Sequence, residues 1–249
     1  MDKDTLHLWC AYPDDLLDPE ALAHCNQLLS QDEVARCRSY KYDRSRLEYL
    51  ATHALARTAL SYSRGTHPGE LRFHIGTHGK PLLDPQCGLQ FNLSNSQGLV
   101  VCLVGEGGAL GVDVEPRTRA ESIREVAPRM FSPLELAQLN SLPKDRQLQR
   151  CLELWTLKES YIKARGMGFK LPLREFSFVF GEPNSIRLQL EPGLYDDEAR
   201  WRFCIMEYAD HCIALMAESA ITPHLHFWEA RPACGSPRPI DSMNGDWHP

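Results

Sequence analysis

Two long helical patterns, each followed by a series of strand-like runs, constrain this chain more than any other feature. Between residues 46 and 63 the apolar side chains Leu47, Leu50, Ala51, Ala54, Leu55, Ala59 and Tyr62 recur at helical spacing. Strand-like runs follow at 71–75, 89–94, 99–104 and 109–115, and Gly105-Glu106-Gly107-Gly108 between the last two reads as a hairpin turn. The order then restarts: a helix over 123–131, a second opened by Ser132-Pro133-Leu134-Glu135, a third over 148–165, and strand-like runs at 176–180, 186–190, 201–206 and 212–216. A first strand at 6–12 and a helix opened by Asp18-Pro19-Glu20 precede all of this. The fold class this predicts is α+β, built as two similar α+β halves, 1–117 and 118–221, joined near 116–120 with the site between them. Residues 222–249, rich in proline and glycine, are expected to form an irregular tail that is dispensable for chemistry.

The 249 residues, 43% of them hydrophobic, suffice for one large or two modest cores. A net charge of −6 argues against a broad basic surface and hence against nucleic acid as partner. No apolar run approaches a membrane span, and the start carries no basic and apolar leader pattern, so a cytoplasmic chain without a membrane partner is predicted. Nine scattered cysteines without a CxxC pair indicate neither zinc nor a disulfide framework; reduced, buried thiols are expected.

In Gly111-Val112-Asp113-Val114-Glu115 a strand period of two sets Leu110, Val112 and Val114 on one face and Asp113 and Glu115 on the other. The two carboxylates then lie about 7 Å apart along the strand, at ~3.4 Å per residue. That leaves two readings: a solvent face at a strand end, or ligation of a hard cation. On the helix over 148–165, Leu154, Leu157, Tyr161 and Ala164 form an apolar seam, and Glu159 and Lys163 stand one turn apart beside it. They are either an exposed ion pair or a third metal carboxylate beside a phosphate-neutralising lysine. Oxygen ligands without histidine or cysteine suit Mg²⁺ rather than zinc.

Gly-Val-Asp-Val-Glu followed some forty residues later by Trp155-Thr156-Leu157-Lys158-Glu159-Ser160-Tyr161-Ile162-Lys163-Ala164 resembles the paired signature of the Sfp-type 4′-phosphopantetheinyl transferases. The resemblance extends to Gly79-Lys80-Pro81 and to Phe91-Asn92-Leu93-Ser94-Asn95-Ser96, and covers residues 5 to 220 in motif order. It implies a monomer of pseudo-twofold arrangement with coenzyme A as substrate, whose pyrophosphate is bridged to Mg²⁺ by Asp113, Glu115 and Glu159. Lys163 is implied to meet the pyrophosphate, and Arg36, Lys80, Ser94 and Asn95 to serve the phosphates of coenzyme A. The family usually has histidine where this chain has Asn95, whose amide donates a hydrogen bond but carries no charge.

The implied reaction is attack by a serine hydroxyl of an apo acyl or peptidyl carrier protein on the β-phosphate of coenzyme A. Asp113, Glu159 and Lys163 are then the catalytic group, with Glu159, or a metal-bound water it holds, taking the serine proton. Glu135 is a second candidate base, although its capping-box spacing favours a structural role. Met130 and Phe131 with Arg124 or Arg129 offer a carrier-docking surface, but core packing is the favoured reading for the two apolar side chains. The competing functions are another Mg²⁺-dependent phosphoryl-transfer enzyme and a non-catalytic coenzyme A binding module.

Overall fold

The computed structural model describes residues 4–76, 80–83, 88–181, 185–231, 237–240 and 246–249. Gly79 of the Gly-Lys-Pro turn, Cys87 and Cys234 lie outside these residues. In chain order the elements are β1 (Thr5–Ala11), α1 (Pro19–Leu28), α2 (Gln31–Ser39), α3 (Asp43–Arg64), β2 (Phe73–Ile75), β3 (Pro81–Leu83), β4 (Leu89–Ser96) and β5 (Leu99–Glu106). Next come β6 (Leu110–Pro116), α4 (Ala120–Met130), α5 (Pro133–Ser141), α6 (Lys144–Arg165), β7 (Phe176–Gly181), β8 (Ser185–Leu190), β9 (Trp201–Tyr208) and β10 (His211–Glu218). The chain ends with β11 (His224–Glu229), β12 (Arg238–Pro239) and β13 (Trp247–His248). It packs as two units, Met1–Gly107 with His224–Asn244, and Gly108–Pro223 with Gly245–Pro249.

The first unit holds a five-stranded sheet in the order β12-β11-β1-β5-β4. Trp9, Leu50, Leu55, Leu60, Val100 and Cys102 from β1, α3 and β5 make its core. β1 is buried along nearly all its length because β5 flanks it antiparallel on one side and β11 parallel on the other. The C-terminal segment is therefore structured where an irregular tail was predicted: β11 pairs with β1 over six positions, Phe227 is buried, and Trp228 stacks on Trp9 at 5.5 Å. The predicted hairpin at 105–108 does not form. Both edges of β5 are already taken, by β1 and β4, so β6 cannot join it and instead pairs antiparallel with β10. The chain accordingly divides at Gly107/Gly108, ahead of the expected boundary after residue 117.

The second unit carries the sheet β13-β9-β10-β6 and the separate hairpin β7-β8. α6 lies on β6 so closely that a Cβ at Gly111 would stand 1.9 Å from the Ser160 carbonyl oxygen; only glycine permits this backbone contact. Ser132 caps α5 through a complete capping box with Glu135, as its sequence signals. Phe131 is fully buried in the core of this unit and Met130 packs against it, which is the core packing favoured for these two side chains over a docking surface. Arg124 and Arg129 remain exposed. All seven described cysteines are free and buried. No described helix is long and apolar enough to cross a membrane.

Candidate active site

β6 and α6 together build an acidic cluster. Every residue of β6 is buried, and Asp113 and Glu115 are each only 5% exposed, which removes the solvent-face alternative for the two carboxylates. On α6 the residues Trp155, Glu159 and Lys163 stand at successive i, i+4 positions and form one stripe along the helix. Its two ends reach the two carboxylates of β6. Lys163 Nζ donates to Asp113 Oδ1 at 2.7 Å, and the Trp155 indole Nε1 donates to Glu115 Oε1 at 3.0 Å. Arg119, just beyond β6, forms an ion pair with the same Glu115 oxygen. The ion pair recorded for Lys163 is thus with Asp113, across to the strand, rather than an exposed pair with Glu159.

Glu159 stands between these two contacts. Its Oε1 atom is shielded from solvent and accepts no hydrogen bond among the described residues. Burial and then the neighbouring Asp113 push its carboxyl up to about 7, against the opposing pull of Lys163. Burial and Asp113 also raise Glu115, partly offset by Arg119 and Trp155. Three carboxylates share this space with two cations, Lys163 and Arg119, a balance that disfavours full ionisation until another positive charge arrives. Among the described residues no three His, Cys, Asp or Glu side chains are already gathered for a metal, and Glu115 is drawn toward Arg119 and Trp155. The donor set nevertheless fits a hard cation: all oxygen, and with one buried Glu159 oxygen lacking a partner.

The other predicted residues belong to the first unit. Arg36 lies on α2 and lines a cavity of about 600 Å³ with Glu33, Tyr49, His53, Arg57 and Phe73 among its walls. Here Tyr49 stacks on His53 at 4.0 Å, and Glu33 accepts from Arg57 Nε at 2.8 Å while lying 3.2 Å from His53 Nδ1. Burial opposes ionisation of Glu33, but these hydrogen bonds and the Ser30 amide outweigh it and hold the carboxyl down to about 2. Lys80 is half-buried, and that burial lowers its ammonium to about 8. On β4, Ser94 is buried and Asn95 exposed. Glu135, the second candidate base, is fully buried, pairs with Lys158 at 2.8 Å and accepts from the Phe178 amide at 2.9 Å, so its role is structural.

Sequence reasoning did not single out Arg119, nor give Trp155 a role. The i, i+4 spacing of Glu115 with Arg119 and of Trp155 with Glu159 was the available signal. It also missed α2 and with it Glu33, and gave no role to Tyr49, His53 and Arg57 of α3, although Ser30-Gln31-Asp32-Glu33 spells a capping box that the structure completes.

Residues 109–216, which span this cluster, match the profile of the 4′-phosphopantetheinyl transferase superfamily. The chain is similar to the 4′-phosphopantetheinyl transferase HetI of Nostoc sp. (strain PCC 7120), 31% identical over 230 residues, covering 91% of this chain and 92% of HetI. It is also similar to the 4′-phosphopantetheinyl transferase Sfp of Bacillus subtilis (strain 168), at 28% identity over 185 residues, 74% of this chain and 81% of Sfp. Among solved structures, a holo-(acyl-carrier-protein) synthase from Bacillus anthracis in complex with coenzyme A matches with a TM-score of 0.38 and 18% identity, over 45% of this chain and 96% of that one.

Proposed function

The chain belongs to the 4′-phosphopantetheinyl transferase superfamily, and from that premise we propose that its buried acidic cluster serves the transfer step. The enzyme moves the 4′-phosphopantetheine arm of coenzyme A onto a serine of an apo acyl or peptidyl carrier protein, giving the holo carrier and adenosine 3′,5′-bisphosphate. The serine oxygen forms a bond to the β-phosphorus, the bond from that phosphorus to the bridging oxygen breaks, and the serine proton passes to a base. The observation that carries the assignment of roles is Glu159, whose buried oxygen has no hydrogen-bond partner among the described residues although its carboxyl feels the charges of both Asp113 and Lys163.

Mg²⁺ would be held by Asp113, Glu115 and Glu159, and when bound it supplies positive charge against the pyrophosphate. The three oxygen donors and the excess of carboxylate over cation support that reading. Lys163 meets the charge that develops on the departing phosphate, and its contact with Asp113 sets its direction. Glu159 accepts the serine proton: its buried Oε1, without a hydrogen-bond partner among the described residues, is the acceptor the cluster leaves open. Trp155 and Arg119 hold Glu115 in place. Arg36, Lys80, Ser94 and Asn95 are assigned to the remaining phosphates of coenzyme A. We take the enzyme to act as a cytoplasmic monomer, and the free, buried state of its described cysteines suits a reducing compartment.

The test is incubation with coenzyme A, Mg²⁺ and apo carrier proteins, followed by mass spectrometry of the carrier serine. Wild type should add phosphopantetheine, and Glu159→Gln should reduce the rate at least 100-fold, the scale of general-base loss (about 10²–10⁴). A Glu159→Gln enzyme near the wild-type rate would remove Glu159 from the base role. Transfer that is unaffected by chelation would remove the metal.

A further inference from the structure

A further buried carboxylate, Asp196, grips the helix that carries Glu159 and Lys163. Its side chain is 0% exposed. Asp196 Oδ2 accepts from Tyr161 Oη at 2.5 Å, Arg165 Nη1 at 2.7 Å and Trp201 Nε1 at 2.8 Å. Its Oδ1 accepts from Arg200 Nη1 and the Asp197 amide, both at 2.9 Å. Five donors saturate a group with about four lone-pair sites, so this carboxylate has no capacity left for a ligand.

Tyr161 and Arg165 belong to the last two turns of α6, one turn apart, and Arg165 also donates to the tyrosine oxygen at 2.8 Å. Each follows a functional residue by two positions: Tyr161 follows Glu159, and Arg165 follows Lys163. Two residues are about 200° of helical rotation, so the grip acts on the side of α6 roughly opposite the stripe that faces β6. The stripe is tied to Asp113 through Lys163, and Gly111 packs without a gap on Ser160 and Ala164, about 100° from both the stripe and the grip. Clamped from both sides, the end of α6 has one rotational setting. The preceding residue, Tyr195, is 96% exposed and holds φ at +47°, a left-handed backbone that a tyrosine rarely adopts. Its side chain buries nothing in return; what the turn delivers is Asp196.

We propose that Asp196 is a positioning residue for the transfer reaction: through Tyr161 and Arg165 it fixes the rotation of α6 from which Glu159 and Lys163 act. This rests on the phosphate role assigned to Lys163. Side chains reach ~6 Å from a helix axis, so a rotation of about 10° moves their tips by about 1 Å. A displacement of that size costs on the order of 100-fold in rate.

The experiment is a double-mutant cycle on coenzyme A affinity, measured by titration calorimetry on the full chain, with transfer rates in parallel. Asp196→Asn, shown to be folded by near-ultraviolet circular dichroism, should weaken coenzyme A about tenfold and lower kcat by 10- to 100-fold. In a Lys163→Ala background, titrated without Mg²⁺ so that Glu159 makes no contact with coenzyme A through the metal, the same substitution should change the affinity less than twofold, because the one contact it positions is gone. Equal effects in both backgrounds would mean general destabilisation and overturn the inference. Should Asp196→Asn fail to fold, Tyr161→Phe removes one bond of the clamp and keeps the ring. It should weaken coenzyme A about threefold in wild type and not in Lys163→Ala; no effect in either background overturns the inference. An unchanged affinity in Lys163→Ala alone would instead overturn the phosphate role of Lys163, and the inference with it.

Discussion

Gly111 shows how a single missing Cβ decides whether the acidic cluster exists. The Ser160 carbonyl oxygen occupies the place a side chain would take, and Ala164 N lies 2.6 Å from it, so Gly111→Ala has to push α6 off β6. The expected cost is about 3 kcal/mol by urea unfolding, the upper part of the range for overpacking, together with loss of transfer. Gly65→Ala is the control: φ there is +66° but nothing stands within 4 Å, so only about 1 kcal/mol is expected. Equal stability losses at the two positions would refute the contact argument. A second single-residue outcome concerns pH. Glu33 falls from its ordinary 4.5 to about 2 in the folded chain. A depressed carboxyl contributes stability above its unfolded value and loses it as pH falls toward the folded one, so the loss runs from about pH 4.5 down to about 2. The wild-type advantage over Glu33→Gln should be on the order of 3 kcal/mol at pH 6 and shrink to about 1 at pH 3. An advantage independent of pH would show that Glu33 is not ionised against Arg57 and His53. Of the residues involved, Asp113, Glu115, Glu159 and Lys163 were legible in the sequence because two periodicities, of two and of 3.6, set each pair on one side of its element. Asp196 was not, since it lies between elements, in a loop that carries no period.

α6, α5 and β7 are joined by a buried ion pair. Lys158 Nζ donates to Glu135 at 2.8 Å and to the Leu173 and Phe176 carbonyls at 2.8 and 2.6 Å, with neither side chain exposed by more than 1%. Burial brings Lys158 down to about 8, while the facing carboxylate works the other way. Lys158→Ala is expected to cost about 3–5 kcal/mol because it leaves Glu135 charged and buried, whereas Lys158→Met with Glu135→Leu should recover most of it. Thermal melts of the three proteins decide: a double variant as unstable as the single one would mean that the pair itself, rather than the orphaned charge, holds these elements together. At this scale the capping box at Ser132 and Glu135 could be read directly, since both partners lie within four residues. The pairing of β6 could not. Its strand pattern and the glycines before it suit a hairpin with β5, and only the prior occupation of both β5 edges sends it to β10.

For the whole molecule, the C-terminal segment is the part whose importance changed most. Ending the chain at Pro223 removes β11, exposes the parallel edge of β1 and strips Trp9 of its stacking partner Trp228. Such a protein is expected in the insoluble fraction on expression, and a soluble form with a cooperative melt would contradict the packing described here. Ending it at Ile240 keeps β11 and β12 and removes only β13, whose two residues pair with β9, so a folded protein with a modestly lower Tm is expected. The sequence by itself determined the α+β class, most of the helices and strands, the carboxylates of β6 and α6, and the family, because each is written in short-range periodicity or in a contiguous motif. The tertiary structure alone decided that β6 belongs with β10, that β11 and β12 extend the first sheet, that Glu115 answers to Arg119 and Trp155, and that Asp196 grips α6. Each of these depends on which edge or donor is still available once distant segments have packed, and local spacing carries no record of that competition.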